Sequence, residues 1–427
     1  MKKILILGSN HLICEIVRKA KEMGLFTVVV DWNPLERAPA KKIADAYYDV
    51  SLADTEKIVE IIKKDNIGGV ITGFVDSYLP YYADICEKAG LPCYGTKEQF
   101  KILGDKKLYK ELCRKFKVPT IDEYNVDKVF SDEKYREEIV YPVLVKPVDN
   151  SGARGVSVCA NYDELVIGYE KALSFSPSKT VLIETFVKGR EITTFYMFVD
   201  GEVYHIGHGN RLIGDKQKGV IGLPVGYSFP ADNLPIYEKK ILKNVKEMFK
   251  SIGLRNGMLF MQNLVKDNIC YVYDIGYRLT GSLEYILTEE VAGFNALEYL
   301  INFATTGNML QGAKDAKKLR ADWGKYCFNL TVLVKPGEIY GVEGVEQVRN
   351  IKGVFRVVEN HVPGETIPES SLGTLDQIVL RVFCAVNKPN DIYEIVEKIK
   401  ASYKVYDRHK KSLLLPVFNL VEEGLYL

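Results

Sequence analysis

A lysine at the end of an apolar segment is followed directly by a loop rich in small residues. Lys146 follows Val143-Leu144-Val145, and the loop spans residues 149–155. Backbone N–H groups in such a loop can point at phosphate oxygens, and the lysine ammonium adds a compact positive charge. No Gly-Lys-Ser/Thr sequence ends the loop, so it is not a Walker loop. Phosphate binding and an ordinary flexible loop both remain open on this segment alone.

Further charged residues flank this loop in a definite order. Gly104-Asp105-Lys106 opens a charged helix before the loop. After it, Glu184 lies inside the apolar strand 180–186, and Glu191 begins the next strand. Burying a carboxylate without a partner is costly, so the position of Glu184 indicates a role, whereas Glu191 could also be a solvated surface charge.

Three regions must position these residues. Residues 1–100 alternate short apolar strands with amphipathic helices, which predicts a parallel sheet covered on both faces. Residues 101–325 contain strand-rich segments joined by reversals such as Asp200-Gly201, which predicts an α+β region with antiparallel strands. Residues 326–427 contain short strands, Pro-Gly turns and a closing helix. The predicted fold class is therefore multidomain, α/β followed by α+β.

The opening strand and helix do not carry a dinucleotide fingerprint. Gly8 supplies only the first glycine of GxGxxG, and Leu12 and Ile13 occupy later positions. The backbone could not approach a pyrophosphate closely there, so a structural turn is favoured over a dehydrogenase site. The five histidines and eight cysteines are scattered without paired spacing, which favours neither a histidine-based metal site nor a disulfide framework.

The ordered series of motifs resembles the ATP-grasp superfamily, which includes biotin carboxylase, the carbamoyl-phosphate synthase large chain and the L-amino acid ligases. It ends with Leu259–Leu264 and Val272–Arg278. The resemblance covers nearly the whole chain. It implies a Rossmann-like pre-ATP-grasp domain over 1–100, a two-lobed ATP-grasp domain over 101–325 with a lid lobe at about 120–187, and a small α+β C-terminal cap over 326–427. The cap is similar to that of the L-amino acid ligases.

The resemblance also implies residues that bind ATP. Lys106 and Lys146 would contact the phosphates, Glu184 the adenine amino group, and Glu191 the ribose. The expected set is Lys106, Lys146, Ser151, Gly152, Arg154, Gly155, Glu184, Thr185, Phe186, Val187, Glu191 and Leu264. Arg278 would lie near the transferring phosphoryl group. Arg211 is a further candidate for gripping a carboxylate or the γ-phosphate, with a surface arginine as the equal alternative.

The expected metal site departs from the superfamily pattern. Most members have Glu at position 262, Glu at 274 and Asn at 276, where this chain has Gln262, Asp274 and Gly276. Magnesium prefers hard oxygen ligands, so Asp274 and Gln262 are the expected ligands of Mg²⁺, with Mn²⁺ as the alternative. Gly276 supplies no side chain, which implies weaker metal binding, a rearranged ligand set or a reduced rate.

Composition limits the partners. Lys+Arg number 57 and Asp+Glu 56, so no global field argues for nucleic acid or an anionic membrane. The apolar runs are strand-sized, and no cleavage site follows the N-terminus, which predicts a cytoplasmic protein. Small-molecule carboxylate and amine substrates are the expected partners. A homodimer would be compatible with the superfamily.

The leading hypothesis is an ATP-dependent carboxylate–amine ligase that forms an acyl phosphate and then an amide or peptide-like bond, releasing ADP and phosphate. Bicarbonate is the alternative carboxylate, as in carbamoyl-phosphate synthase and biotin carboxylase. The altered metal positions also leave open a nucleotide-binding regulator with weakened catalysis. A dehydrogenase is a distant further alternative.

Overall fold

The N-terminal region is a parallel sheet covered by helices. The computed structural model describes residues 2–149, 155–214, 223–310 and 316–416. The elements of this region are β1 (Lys3–Leu7), α1 (Ile13–Glu22), β2 (Phe26–Asp31), α2 (Pro39–Ile43), β3 (Ala46–Asp49), α3 (Thr55–Asp65), β4 (Val70–Ile71), α4 (Leu79–Ala89), α5 (Lys97–Gly104) and α6 (Lys106–Lys115). The strand order is β3-β2-β1-β4 and every pairing is parallel. The predicted parallel layer is confirmed.

A small lobe follows, built on an antiparallel sheet with its own core. Its elements are β5 (Glu123–Tyr124), α7 (Val126–Ser131), α8 (Glu133–Glu137), β6 (Val143–Pro147), β7 (Ser157–Cys159), α9 (Tyr162–Phe175) and β8 (Val181–Thr185). The strand order is β5-β8-β6-β7. Val143, Val145 and Ile183 form the core with Leu165 of α9. We call this part the lid lobe.

An antiparallel sheet of eight strands dominates the rest of the chain. Its first part comprises β9 (Arg190–Val199), β10 (Glu202–Ile213), β11 (Pro224–Phe229), α10 (Leu234–Lys240), α11 (Leu242–Ser251), β12 (Gly257–Lys266), β13 (Ile269–Gly276), α12 (Tyr285–Ala292) and α13 (Ala296–Thr306). The second part comprises β14 (Tyr326–Leu333), β15 (Gly337–Glu338), β16 (Gly341–Glu343), α14 (Val345–Arg349), β17 (Val354–Glu359), β18 (Thr366–Ile367), β19 (Ile378–Val386), α15 (Asp391–Ser402) and β20 (Lys404–Tyr406).

The large sheet joins two of the predicted regions. Its order is β13-β12-β9-β10-β11-β14-β19-β17, so strands from before and after residue 325 are hydrogen-bonded neighbours. The C-terminal region nevertheless has a separate core, in which Leu380 and Val382 pack with Ile395 and Ile399 of α15. The predicted α+β class is confirmed. Strand β10 is twelve residues long, and its pairing with β9 continues to Arg211.

Candidate functional site

Glu184, in strand β8 of the lid lobe, lies between Lys110 of helix α6 and Lys146 of strand β6. Its Oε1 is 2.6 Å from Nζ of Lys110, and its Oε2 is 2.8 Å from Nζ of Lys146. The side chains of Glu184 and Lys110 are 0% exposed, and that of Lys146 is 7% exposed. Burial alone would raise the pKa of Glu184, but the two lysines outweigh it and lower the pKa. Burial lowers the pKa of Lys146 despite Glu184. The three residues form a charged triad inside the protein.

Local structure places the triad. β6 and β8 are antiparallel neighbours, with Lys146 opposite Leu182 and Leu144 opposite Glu184. Helix α6 begins at Lys106 because the Asp105 side chain accepts hydrogen bonds from the N–H groups of Lys107 and Leu108. Lys106 and Lys110 are four residues apart and share one face of α6. Lys106 donates to the Val148 carbonyl (3.2 Å), beside the glycine loop.

A second cluster lies on one face of the large sheet. Leu264, Glu191 and Arg211 are direct cross-strand neighbours on β12, β9 and β10. Arg211 forms an ion pair with Glu191, and the Tyr273 hydroxyl donates to Glu191 over 2.7 Å. Arg211 also donates to the Tyr227 hydroxyl over 3.2 Å. The structure thus brings the predicted ribose ligand and the predicted anion-binding arginine into direct contact.

The expected metal ligands face each other across one hairpin. Gln262 and Asp274 are paired residues of β12 and β13. Burial raises the pKa of the Asp274 carboxyl, against the opposing charges of Lys106, Lys146 and Arg278. A Cβ added at Gly276 would lie 2.3 Å from the Phe260 ring, so no third side chain fits there without displacing Phe260.

The donor set suits a weakly held magnesium ion. Mg²⁺ is commonly bound by one or two carboxylates together with substrate phosphates, keeping several waters. One carboxylate and one amide oxygen meet that requirement, and a nearby divalent cation would offset the cost of burying the Asp274 charge. The residues therefore fit Mg²⁺ that ATP helps to hold.

Arg278 links this hairpin to the N-terminal region. Its Nε and Nη2 donate to the two carboxylate oxygens of Asp76 over 2.6 and 2.5 Å. The guanidinium lies over the Phe260 ring, 5.0 Å from its centroid. A bidentate pair of this kind fixes the guanidinium plane. Arg278 is thus held beside Asp274 at the junction of two regions.

The segment expected to read adenine is partly engaged by the protein. The Thr185 and Phe186 N–H groups donate to the carbonyls of Asp122 (3.0 Å) and Pro142 (3.4 Å). The Val187 N–H has no hydrogen-bond partner among the residues that the structure describes. Ser151, Gly152 and Arg154 lie outside the described residues. Gly155 has φ +80°, and a Cβ there would lie 2.7 Å from Phe175.

Three residues of the site were missed by the sequence analysis: Lys110, Tyr273 and Asp76. Lys110 could have been found, since it is one helical turn from Lys106 and a buried Glu184 needs a counter-charge. Tyr273, which reaches Glu191, lies where the β12–β13 pairing shifts register between Gln262 and Asn263. A one-residue shift of this kind leaves no clear sequence signal.

Comparison with known proteins identifies a family that part of the chain resembles. Residues 105–308 match the family model for the ATP-binding domain of the carbamoyl-phosphate synthase L chain. The predicted resemblance to ATP-grasp ligases is confirmed.

Relatives of the chain include a carboxylase subunit and a synthase chain. The 2-oxoglutarate carboxylase small subunit of Hydrogenobacter thermophilus is 24% identical over 336 residues, 74% of this chain and 69% of that protein. The chain also matches the carbamoyl phosphate synthase large chain of Clostridium botulinum, 24% identical over 298 residues, but this match spans only 27% of that protein and 67% of this chain.

Two solved structures share the fold over their length. The L-amino acid ligase of Bacillus licheniformis has a TM-score of 0.76 at 18% identity, covering 96% of this chain and 99% of that one. The biotin carboxylase domain of the Hydrogenobacter thermophilus 2-oxoglutarate carboxylase, in complex with MgADP, ADP and bicarbonate, has a TM-score of 0.77 at 21% identity, covering 95% and 90%. Within the described residues, every helix is too short or too polar to cross a membrane.

Proposed function

We propose that this ATP-grasp chain is an ATP-dependent carboxylate–amine ligase. The observation that carries the proposal is the convergence of positive charge on Asp274, where Lys106, Lys146 and Arg278 all act on one carboxylate. Phosphoryl transfer depends on positioning and charge stabilisation, so clustered cations without a nucleophilic side chain suit it.

The reaction has two steps. A carboxylate oxygen of the substrate attacks the γ-phosphorus of ATP, the bond to ADP breaks, and an acyl phosphate forms. The amine nitrogen then attacks the carbonyl carbon, phosphate leaves, and the nitrogen loses a proton. Lys106 and Lys146 bind the phosphates, and Arg278 stabilises charge where the phosphoryl group moves. When bound at Asp274 and Gln262, Mg²⁺ supplies further charge stabilisation on the phosphate oxygens.

Glu184 positions Lys146 in this proposal. With one carboxylate oxygen on each lysine, Glu184 holds the Lys146 ammonium in a fixed position. The adenine contact of Glu184 stays a prediction, as do the ribose role of Glu191 and the packing role of Leu264. The Val187 N–H, which has no partner within the described part of the chain, supports a contact with the adenine edge. The lid lobe, with its separate core, would close over the acyl phosphate and exclude water.

The carboxylate substrate is expected to be an amino acid. Likeness to the L-amino acid ligase over 96% of this chain supports that class. Likeness to the biotin carboxylase domain supports bicarbonate as the second candidate. The divisions at residues 100 and 325, a homodimer and a cytoplasmic location remain predictions.

The test is ADP release from the purified chain with ATP and Mg²⁺, scanned over pooled amino acids, other carboxylates with an amine, and bicarbonate. We expect an amino-acid-dependent signal that Lys146→Ala abolishes and Lys188→Ala, at an exposed position, does not. A signal with bicarbonate alone would identify the second candidate. ATP binding without turnover in any pool would favour a regulator.

A further inference from the structure

Two histidines that are 350 residues apart in sequence meet in the structure. His11 lies in the loop between β1 and α1, and His361 lies between β17 and β18. Their rings are edge to face, with centroids 5.0 Å apart. Glu365 completes the group, and one ligand atom from each of the three residues lies within 4.8 Å of the other two. We call this group the histidine cluster.

The hydrogen bonds of His361 fix its tautomer. Its Nε2 is 2.8 Å from the backbone carbonyl oxygen of Asp376, which can only accept, so Nε2 carries a hydrogen and donates it. In the neutral ring, Nδ1 then presents a lone pair to Oε2 of Glu365, 2.8 Å away. Two acceptors at that distance need a cation, which is either a proton on Nδ1 or a metal ion beside both atoms.

His11 distinguishes these cations. A proton shared by His361 and Glu365 requires no third ligand, yet His11 also lies within reach. A nitrogen of His11 lies within 4.8 Å of the ligand atoms of both His361 and Glu365, where a third ligand of one ion would lie. A metal-bound histidine usually donates its other N–H to a carbonyl or carboxylate, as His361 does to Asp376.

We propose that the histidine cluster binds a divalent transition-metal ion, with Zn²⁺ the best match. Two imidazoles and one carboxylate suit zinc, and three protein ligands leave a fourth position for water. Mg²⁺ and Ca²⁺ prefer oxygen ligands, so this site differs in selectivity from the one at Gln262 and Asp274. The backbone carbonyl of Asp376 accepts the hydrogen bond that orients His361. The side-chain carboxylate of Asp376 accepts a hydrogen bond from the Ser371 hydroxyl (2.6 Å).

The ion would connect the N-terminal region to the C-terminal region beside the segment that follows Arg278. Leu12 directly follows His11, and Leu375 directly precedes Asp376, which accepts the hydrogen bond from His361. Their side chains lie 3.1 and 3.5 Å from a Cβ built on Gly281. Gly281 follows Arg278 by three residues. A metal joining these loops would therefore hold in place the side chains that pack against Gly281.

The experiment measures metal binding and does not depend on ligase activity. Metal-free full-length protein is titrated with Zn²⁺ by calorimetry, and with Co²⁺ by absorption spectroscopy. We expect one ion per chain, a cobalt spectrum without thiolate charge transfer, and a higher Tm with Zn²⁺. His361→Ala and Glu365→Gln should each weaken binding at least about tenfold and remove the Tm increase.

His409→Ala is the matched control, because His409 is exposed and distant in sequence from the cluster. Glu365→Gln preserves size at a half-buried position, so it tests the proposal even if the histidine variants fold poorly. Absence of bound Zn²⁺ in the wild type, or equal binding by His361→Ala and His409→Ala, would overturn the proposal. So would NMR showing His361 protonated on both nitrogens with Zn²⁺ present.

Discussion

The two charged regions of the proposed nucleotide site balance their charges differently. In the lid lobe, Glu184 has a lysine on each carboxylate oxygen. On the large sheet, Asp274 forms no ion pair among the described residues, and burial raises its pKa. The Glu184 charge is already balanced by direct ion pairs with protein, whereas the Asp274 charge has no such pair among the described residues and would gain more from a bound cation. This comparison indicates that the Glu184 region is preformed, whereas the Asp274 region would be completed by a bound ligand.

The largest effect is expected from Glu184→Gln. The substitution leaves Lys146 buried without its carboxylate partner, whereas Lys110 keeps its ion pair with Glu123 (2.5 Å). Breaking a buried pair in this way costs about 3–5 kcal/mol. Urea unfolding should show that loss of stability. Glu137→Gln, exposed in the same lobe, is the control and should change little. Equal stability of the two variants would show that the triad is not preformed.

Asp274→Asn should separate activity from stability. Removing a carboxylate whose charge is disfavoured by burial should leave unfolding stability unchanged or higher. Turnover should fall about 10²-fold or more, the loss typical of removing one transition-state stabiliser. Steady-state kinetics and urea unfolding on the same preparation check both parts. A large stability loss with retained turnover would show that Asp274 stabilises the fold and is not needed for activity, which contradicts the prediction.

Gly276→Asn tests whether packing explains the departure from the superfamily pattern. The new Cβ would collide with the Phe260 ring, and overpacking of this kind costs about 1–3 kcal/mol. Phe260→Leu should relieve the collision, so the double variant should recover stability and bind Mg²⁺–ATP more tightly than Phe260→Leu alone. Unfolding and magnesium titrations measure the outcome. A fully stable single variant would contradict the steric explanation.

The smallest expected effect is on the pH dependence of the unfolding free energy, to which Glu184 and Asp274 should contribute with opposite signs. The folded-state pKa of Glu184 is lowered, so its stabilisation is present above the ordinary value of 4.5 and is lost as pH falls through the lowered pKa. The folded-state pKa of Asp274 is raised, so its contribution is present below 3.8 and is lost as pH rises through the raised pKa. The unfolding free energy of the wild type minus that of each variant, Glu184→Gln or Asp274→Asn, is measured across acidic to neutral pH. The two differences should change with pH in opposite directions.

Local patterns predicted the layers of the fold and the order of its motifs. Alternating apolar strands and helices fixed the parallel sheet, and turn residues such as Asp200-Gly201 marked the β9–β10 hairpin. The facing of Gln262 and Asp274 follows from one short hairpin. These features depend on residues close in sequence, where periodicity and turn chemistry are informative.

Contacts between distant segments could not be predicted in the same way. His11 and His361 looked scattered because nothing in their local sequence shows that two loops from different regions meet. The pair between Arg278 and Asp76 has the same origin. Its partners come from different regions, so only the assembled fold reveals that the arginine is already held.

The pairing of β11 with β14 has a practical consequence for dissecting the chain. A fragment ending at residue 325 would lose β14 and leave β11 as an open sheet edge. Its unpaired N–H and C=O groups would be a template for pairing with another molecule. This fragment should therefore aggregate when expressed alone, whereas the intact chain protects that edge with its own C-terminal strands.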